Sequence, residues 1–118
     1  MLATDIKELL AETTPDVVVV ERVFFQTNVK TAMSVGQASG LALAFSSQSG
    51  SQVVQYTANE VKLAVAGDGS AGKKEVQAMV QKILHLPTRP DPPDVADALA
   101  LALCHSSQAK WLEKVGAR

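Results

Sequence analysis

A chain of 118 residues suffices for one domain with a modest hydrophobic core, and 47% hydrophobic with 19% charged residues excludes wholesale disorder. The single cysteine excludes an intramolecular disulfide and suits a reducing, cytoplasmic setting. The formal net charge of −1 hides an uneven distribution: from Arg22 to Arg89 there are seven basic residues against three acidic ones, a basic middle that suits a phosphate backbone or is an ordinary solvated surface.

Leu2, Ile6, Leu9 and Leu10 share one face of a first helix, whose acids Asp5, Glu8 and Glu12 make it unlike a secretory signal. Uninterrupted apolar runs fall short of the roughly 18 residues a membrane span needs, so no membrane role is expected. After Thr14-Pro15-Asp16, the run Val17 to Val20 ending in Glu21 predicts a strand buried on both faces, as in a mostly parallel sheet covered by helices. Beyond a loop from Arg22 to Thr27, Asn28 is placed to cap a helix reaching about Ser46. Ala32, Gly36, Gly40 and Ala44 recur on it as a small-residue stripe, suited to close approach of a neighbouring strand or helix or to self-association. Gly50 marks a turn, and Gln52 to Tyr56 reads as a second strand.

Thr57 to Ala66 reads as a short helix with a capping box formed by Thr57 and Glu60. Gly67 to Gly72 is a turn, and Lys73 to Leu84 repeats helical spacing through Val76, Met79, Val80, Ile83 and Leu84. Pro87 through Pro93 forms a stiff link into a last helix that starts at Asp94 and runs to about His105, with a more polar helical extension, prone to fray, to Arg118. The fold class is therefore α/β, with two clear strands and four or five helices. A two-stranded sheet leaves an edge of the valine strand uncovered, and each apolar side chain kept from burial forfeits about 1.5–3 kcal/mol. A further strand is expected beside it, from residues upstream of Met1 or from a partner chain.

Glu21 ends the valine strand, and ligands of open α/β sheets collect at the carboxyl ends of strands; a solvent-facing acid paired with Arg22 explains it equally. Asp94 and Asp97 lie three apart at the start of a helix, where two carboxylates repel one another and suit a hard divalent cation, or where Asp94 serves as a helix cap. If the last helix packs beside the valine strand, Glu21, Asp94 and Asp97 converge on one or two cations, an arrangement suited to phosphodiester cleavage. No His/Cys grouping supports zinc: Cys104 reads as a buried helical cysteine beside His105, and His85 as a surface or packing residue. Phe24 and Phe25 follow Glu21, where one could stack on bases while the other joins the core; Lys62, Lys73 and Lys74 offer point charges to phosphates. Gly67-Asp68-Gly69-Ser70 lacks the spacing and ending of a nucleotide-binding P-loop.

Taken in order, Pro15-Asp16 through Glu21-Arg22-Val23-Phe24-Phe25, Asn28 to Gly40 with its Gly-Gln-Ala-Ser-Gly, Tyr56 to Lys73 around Val61-Lys62, and Asp94-Val95-Ala96-Asp97-Ala98-Leu99-Ala100 closely resemble the RuvC-type crossover-junction endodeoxyribonucleases. These are Holliday-junction resolvases of the ribonuclease H-like superfamily, and the resemblance covers nearly all of the chain, most like an actinobacterial member. It implies a ribonuclease H-like fold, with Glu21, Asp94 and Asp97 as ligands of magnesium or manganese, two ions in the complete site. It further implies Phe24 as a junction-contacting aromatic and Lys62 and Lys73 as basic residues for DNA handling and catalysis. A homodimer nicking four-way DNA junctions alongside a branch-migration complex is implied as well, with the Asn28–Ser46 helix near the dimer interface. Members of the family begin with a strand carrying an Asp-Pro-Gly-like motif whose aspartate is the first metal ligand, and Asp5, in a helix, is no substitute. Residues 1–118 are thus expected to be a partial nuclease domain, N-terminally incomplete and weakly active or inactive alone; the alternative is a non-catalytic junction-binding or dimerisation fragment.

Overall fold

Seven elements follow one another along residues 2–22 and 29–114, which the computed structural model describes. They are α1 (Leu2–Thr13), β1 (Val17–Arg22), α2 (Val29–Gln48), β2 (Gln52–Thr57), α3 (Ala58–Ala66), α4 (Lys73–Ile83) and α5 (Pro93–Lys114). The fold is α/β, with two parallel strands and five helices among the described residues. The chain divides into two units, Met1–Tyr56 and Thr57–Arg118.

In the first unit, the apolar face of α1 turns Leu10 inward and packs on α2, which also packs on β1. Helix α1 stops where Thr14 enters the left-handed region at φ 40°, its N–H still donating to the Leu10 carbonyl at 2.9 Å. The chain then clamps the starts of the two strands together. Ser51 donates its hydroxyl to the Pro15 carbonyl at 2.8 Å, and the Gln52 N–H donates to the Asp16 carbonyl at 2.8 Å. Those two bonds fix the parallel register, so that both carboxyl ends leave the sheet on one side.

Three expectations are corrected here. Val17 to Val20 are half-buried rather than buried on both faces, because β1 has β2 as its one hydrogen-bonded neighbour among the described residues. Arg22 continues the strand instead of opening the loop. The small-residue stripe is not pressed against a neighbouring backbone at Gly40: that residue and Ala44 are exposed, and a Cβ added at Gly40 would meet nothing within 4 Å. What α2 buries near its end is Ser46, whose carbonyl accepts the Ser51 N–H at 3.1 Å. The expected cap Asn28 lies outside the described residues.

The second unit is three helices joined by short loops. Helix α3 opens with the reciprocal capping box: Glu60 N–H donates to the Thr57 hydroxyl at 3.2 Å, and Thr57 N–H donates to the Glu60 carboxylate at 2.9 Å. It closes on Gly67 at φ 75°, a left-handed cap that glycine adopts without a Cβ penalty. The core comes from three stripes at helical spacing: Val61 and Val65 on α3, Val76 and Val80 on α4, and Ala96, Ala100 and Cys104 on α5. Small residues on α5 let its backbone approach the valines of its neighbours, and each of the three helices packs on the other two.

Helix α5 also continues past His105 to Lys114, further than its last packed residue Cys104 explains. The residues from Ser106 to Trp111 are exposed, so this part of the helix rests on local propensity, with no glycine or proline to interrupt it.

Candidate functional site

Glu21 sits next to last in β1, exposed, at the carboxyl end of the sheet as its position after the valines predicts. The opposite end of the same sheet opens into a cavity of about 610 Å³ lined by Lys7, Leu10, Pro15, Asp16, Phe45 and Ser51, with the Lys7 ammonium 4.8 Å from the centre of the Phe45 ring. That cavity lies at the amino ends of the strands and contains none of the predicted site residues.

In the second unit, Asp94 and Asp97 occupy the first turns of α5, both exposed, while Ala96 and Ala100 turn inward and hold the helix against its neighbours. The buried alanines set the rotation of α5, and that rotation presents the two acids to solvent. Lys73 begins α4, after a loop held by Asp68, whose carboxylate accepts the Ser70 N–H at 2.9 Å and the Ser70 hydroxyl at 2.8 Å. Those two bonds, the backbone one first, hold the Asp68 carboxyl below its ordinary value of 3.8. The loop delivers the Lys73 ammonium to within 3.5 Å of the Asp97 carboxylate.

This contact joins two residues far apart in the sequence, and no local spacing signals it. Lys62, on α3, is half-buried and takes no part in that ion pair. Phe24, expected to contact a junction, and Phe25 lie outside the described residues. Cys104 is fully buried, with its thiol 3.8 Å from the Glu60 carbonyl, as its position on the helix predicts. Burial, and then the charge of Glu60, push the thiol above its ordinary value of 9.0, which keeps it protonated and unreactive. His85 is exposed.

The carboxylates of Asp94 and Asp97 are hard oxygen donors and suit magnesium or manganese in kind. In number they fall short, since among the described residues no group of three or more His, Cys, Asp or Glu side chains is placed to hold a metal ion. Also among the described residues, no helix is long and apolar enough to cross a membrane.

An exposed pair of acids one turn apart, faced by a lysine, thus stands on the helical second unit. A family model described as "Crossover junction endodeoxyribonuclease RuvC" matches residues 1–105, and the chain belongs to that family. The relative of that name from Moorella thermoacetica is 50% identical over 109 residues, covering 92% of this chain and 65% of the relative. The one from Mycobacterium marinum is 50% identical over 101 residues, covering 86% of this chain and 55% of the relative. Among solved structures, Thermus thermophilus RuvC superposes with a TM-score of 0.83 at 39% identity, over 93% of this chain and 66% of that one. The same protein in complex with a Holliday junction substrate superposes with a TM-score of 0.85, also at 39% identity and over 93% of this chain and 67% of that one. The chain therefore spans about two thirds of the length of the Moorella relative and about half that of the mycobacterial one.

Proposed function

We propose that residues 1–118 form part of a RuvC-type nuclease domain that resolves four-way DNA junctions by paired, divalent-metal-dependent phosphodiester cleavage. Glu21, Asp94 and Asp97 are the metal ligands in this reading, Lys73 acts in catalysis, and Phe24, Lys62 and Lys73 contact the DNA. The observation that carries it is the surface where Asp94 and Asp97 stand exposed and the Lys73 ammonium meets Asp97, in a chain of this family. A magnesium or manganese ion would be held by those carboxylates together with further donors, and would supply Lewis-acid stabilisation of charge at the scissile phosphate.

The remaining tasks belong to side chains. Lys73 and Lys62 bring positive charge to the phosphates, neutralising repulsion between the DNA and the acids that would otherwise keep it away. The exposure of Asp94 and Asp97 leaves them open to a rigid polyanion, which a recessed pocket would not. We further propose a homodimer, a cytoplasmic setting and work beside a branch-migration complex; the family and, for the junction itself, the likeness to a RuvC structure bound to its substrate support these.

The deciding experiment incubates a labelled four-way junction with magnesium and either the 118-residue chain or the product of its full genomic reading frame. Symmetric nicks by the product of that reading frame, abolished by Asp94→Asn, are expected. A product that binds the junction without metal-dependent nicking overturns the catalytic assignment. A second reading, a non-catalytic junction-binding or dimerisation fragment, is favoured by the shortfall in metal donors among the described residues. Specific binding by the 118-residue chain without nicking is its signature.

A further inference from the structure

We propose that the exposed end of α5 is a docking face for single-stranded DNA, with Lys110 and Lys114 on its phosphates and the Trp111 ring stacked on a base. This rests on the reading of the chain as a protein that acts on DNA, but not on its metal ligands or its cleavage step. The face lies beyond residue 105, where the match to the family model ends, and it holds the one tryptophan of the chain.

One side of α5 outruns its cover. Ala96, Ala100 and Cys104 are fully buried among the helices of the second unit. Ser107 and Trp111 follow at the next steps of three and four residues, so they continue the same side of the helix. Here both residues are exposed, Trp111 to 59%. Lys110 and Lys114 flank the ring one helical turn apart, both exposed and neither in an ion pair among the described residues. Like charges at that spacing repel, and a partner that brings anionic groups relieves the repulsion. The occupant is therefore anionic and presents a flat face to the indole. A DNA strand meets both demands, since its phosphates recur at short intervals and every base has a π-face. The two lysines are about 6 Å apart along the helix axis, close to two steps of a strand at about 3.4 Å each, so both ammonium groups reach one backbone. A single strand is favoured over a duplex, whose base faces are closed by their stacked neighbours. An acidic peptide satisfies the lysines alone.

Because the chain has one tryptophan, its emission reports on this face without a label. The 118-residue chain is titrated at low ionic strength with oligothymidylate, with heparin, an anion that has no bases, and with polyglutamate. Oligothymidylate is expected to quench the Trp111 emission, and the other two to quench it clearly less. Binding is followed in parallel by the anisotropy of a labelled oligothymidylate. Trp111→Ala is expected to weaken it by about fivefold or more, and Trp111→Phe to restore most of the loss. Replacing both lysines, Lys110→Gln with Lys114→Gln, is expected to lower the slope of log affinity against log salt by about 1.4, two phosphate contacts at about 0.7 each. All three side chains are exposed, and an unchanged circular dichroism spectrum checks the fold of each variant. Absence of oligothymidylate binding, binding that leaves the emission unchanged, equal quenching by heparin or polyglutamate, or unchanged affinity in Trp111→Ala overturns the strand face. Junction nicking by the product of the full reading frame is a separate measurement, so the proposed nuclease function stands or falls independently of these results.

Discussion

His85 holds a backbone conformation that its side chain does not favour. It stands at φ 54° just after α4, where its N–H donates to the Lys82 carbonyl at 3.3 Å and the Leu86 N–H donates to the Gln81 carbonyl at 2.9 Å. That pair of bonds is a Schellman cap, and its left-handed position is one that glycine usually fills. Because a Cβ in this region costs about 1 kcal/mol, His85→Gly is expected to raise the urea midpoint by roughly that stability without changing the slope. Cys104 gives a pH-dependent counterpart. Its folded value lies above the unfolded 9.0, so its contribution is fully present below pH 9 and is lost as pH rises through the folded value. Stability measured from pH 8 to 11 is expected to fall more steeply in the parent chain than in Cys104→Ala. The burial of Cys104 was legible because Ala96, Ala100 and Cys104 repeat at one helical spacing; the conformation of His85 was not, since nothing in its side chain asks for a positive φ.

Among the elements, α3 was the most legible, because both its start and its stop are written in neighbouring residues. Thr57 and Glu60 satisfy each other's backbone N–H groups, and Gly67 supplies the left-handed stop. Thr57→Ala is expected to cost about 1 kcal/mol by chemical denaturation. The burial of β1 was less legible. Four valines in a row register as apolar on both faces, but how deeply they are buried depends on neighbouring strands and covering helices, which the run itself does not specify. The far end of α5 shows the converse: its polar residues give no packing signal, yet nothing in them stops a helix, and the expected polar extension runs on to Lys114. In the second unit, Val80→Ala removes the methyl groups of a fully buried side chain on α4, a helix packed on α3 and α5. A loss of about 1–3 kcal/mol is expected in its denaturation midpoint, well above that of an exposed valine such as Val95→Ala.

For the whole molecule, the basic stretch from Arg22 to Arg89 sets the expectation for DNA binding, since net charge alone is −1. If Lys62 contacts a phosphate, Lys62→Gln weakens junction binding with little regard to sequence and lowers the slope of log affinity against log salt by about 1. An unchanged slope in a fluorescence titration would remove Lys62 from the interface. The sequence by itself determined the α/β class, the order and approximate limits of the elements, and the residue types that suit a hard cation and a phosphate. These are local properties, set by hydrogen-bonding groups and apolar spacing within a few residues of one another. Only the tertiary structure brought Lys73 onto Asp97. That contact arises because the valines of α4 and the alanines of α5 fix how the two helices lie together, and inter-helix packing has no signature in the spacing of the charged residues it brings into contact.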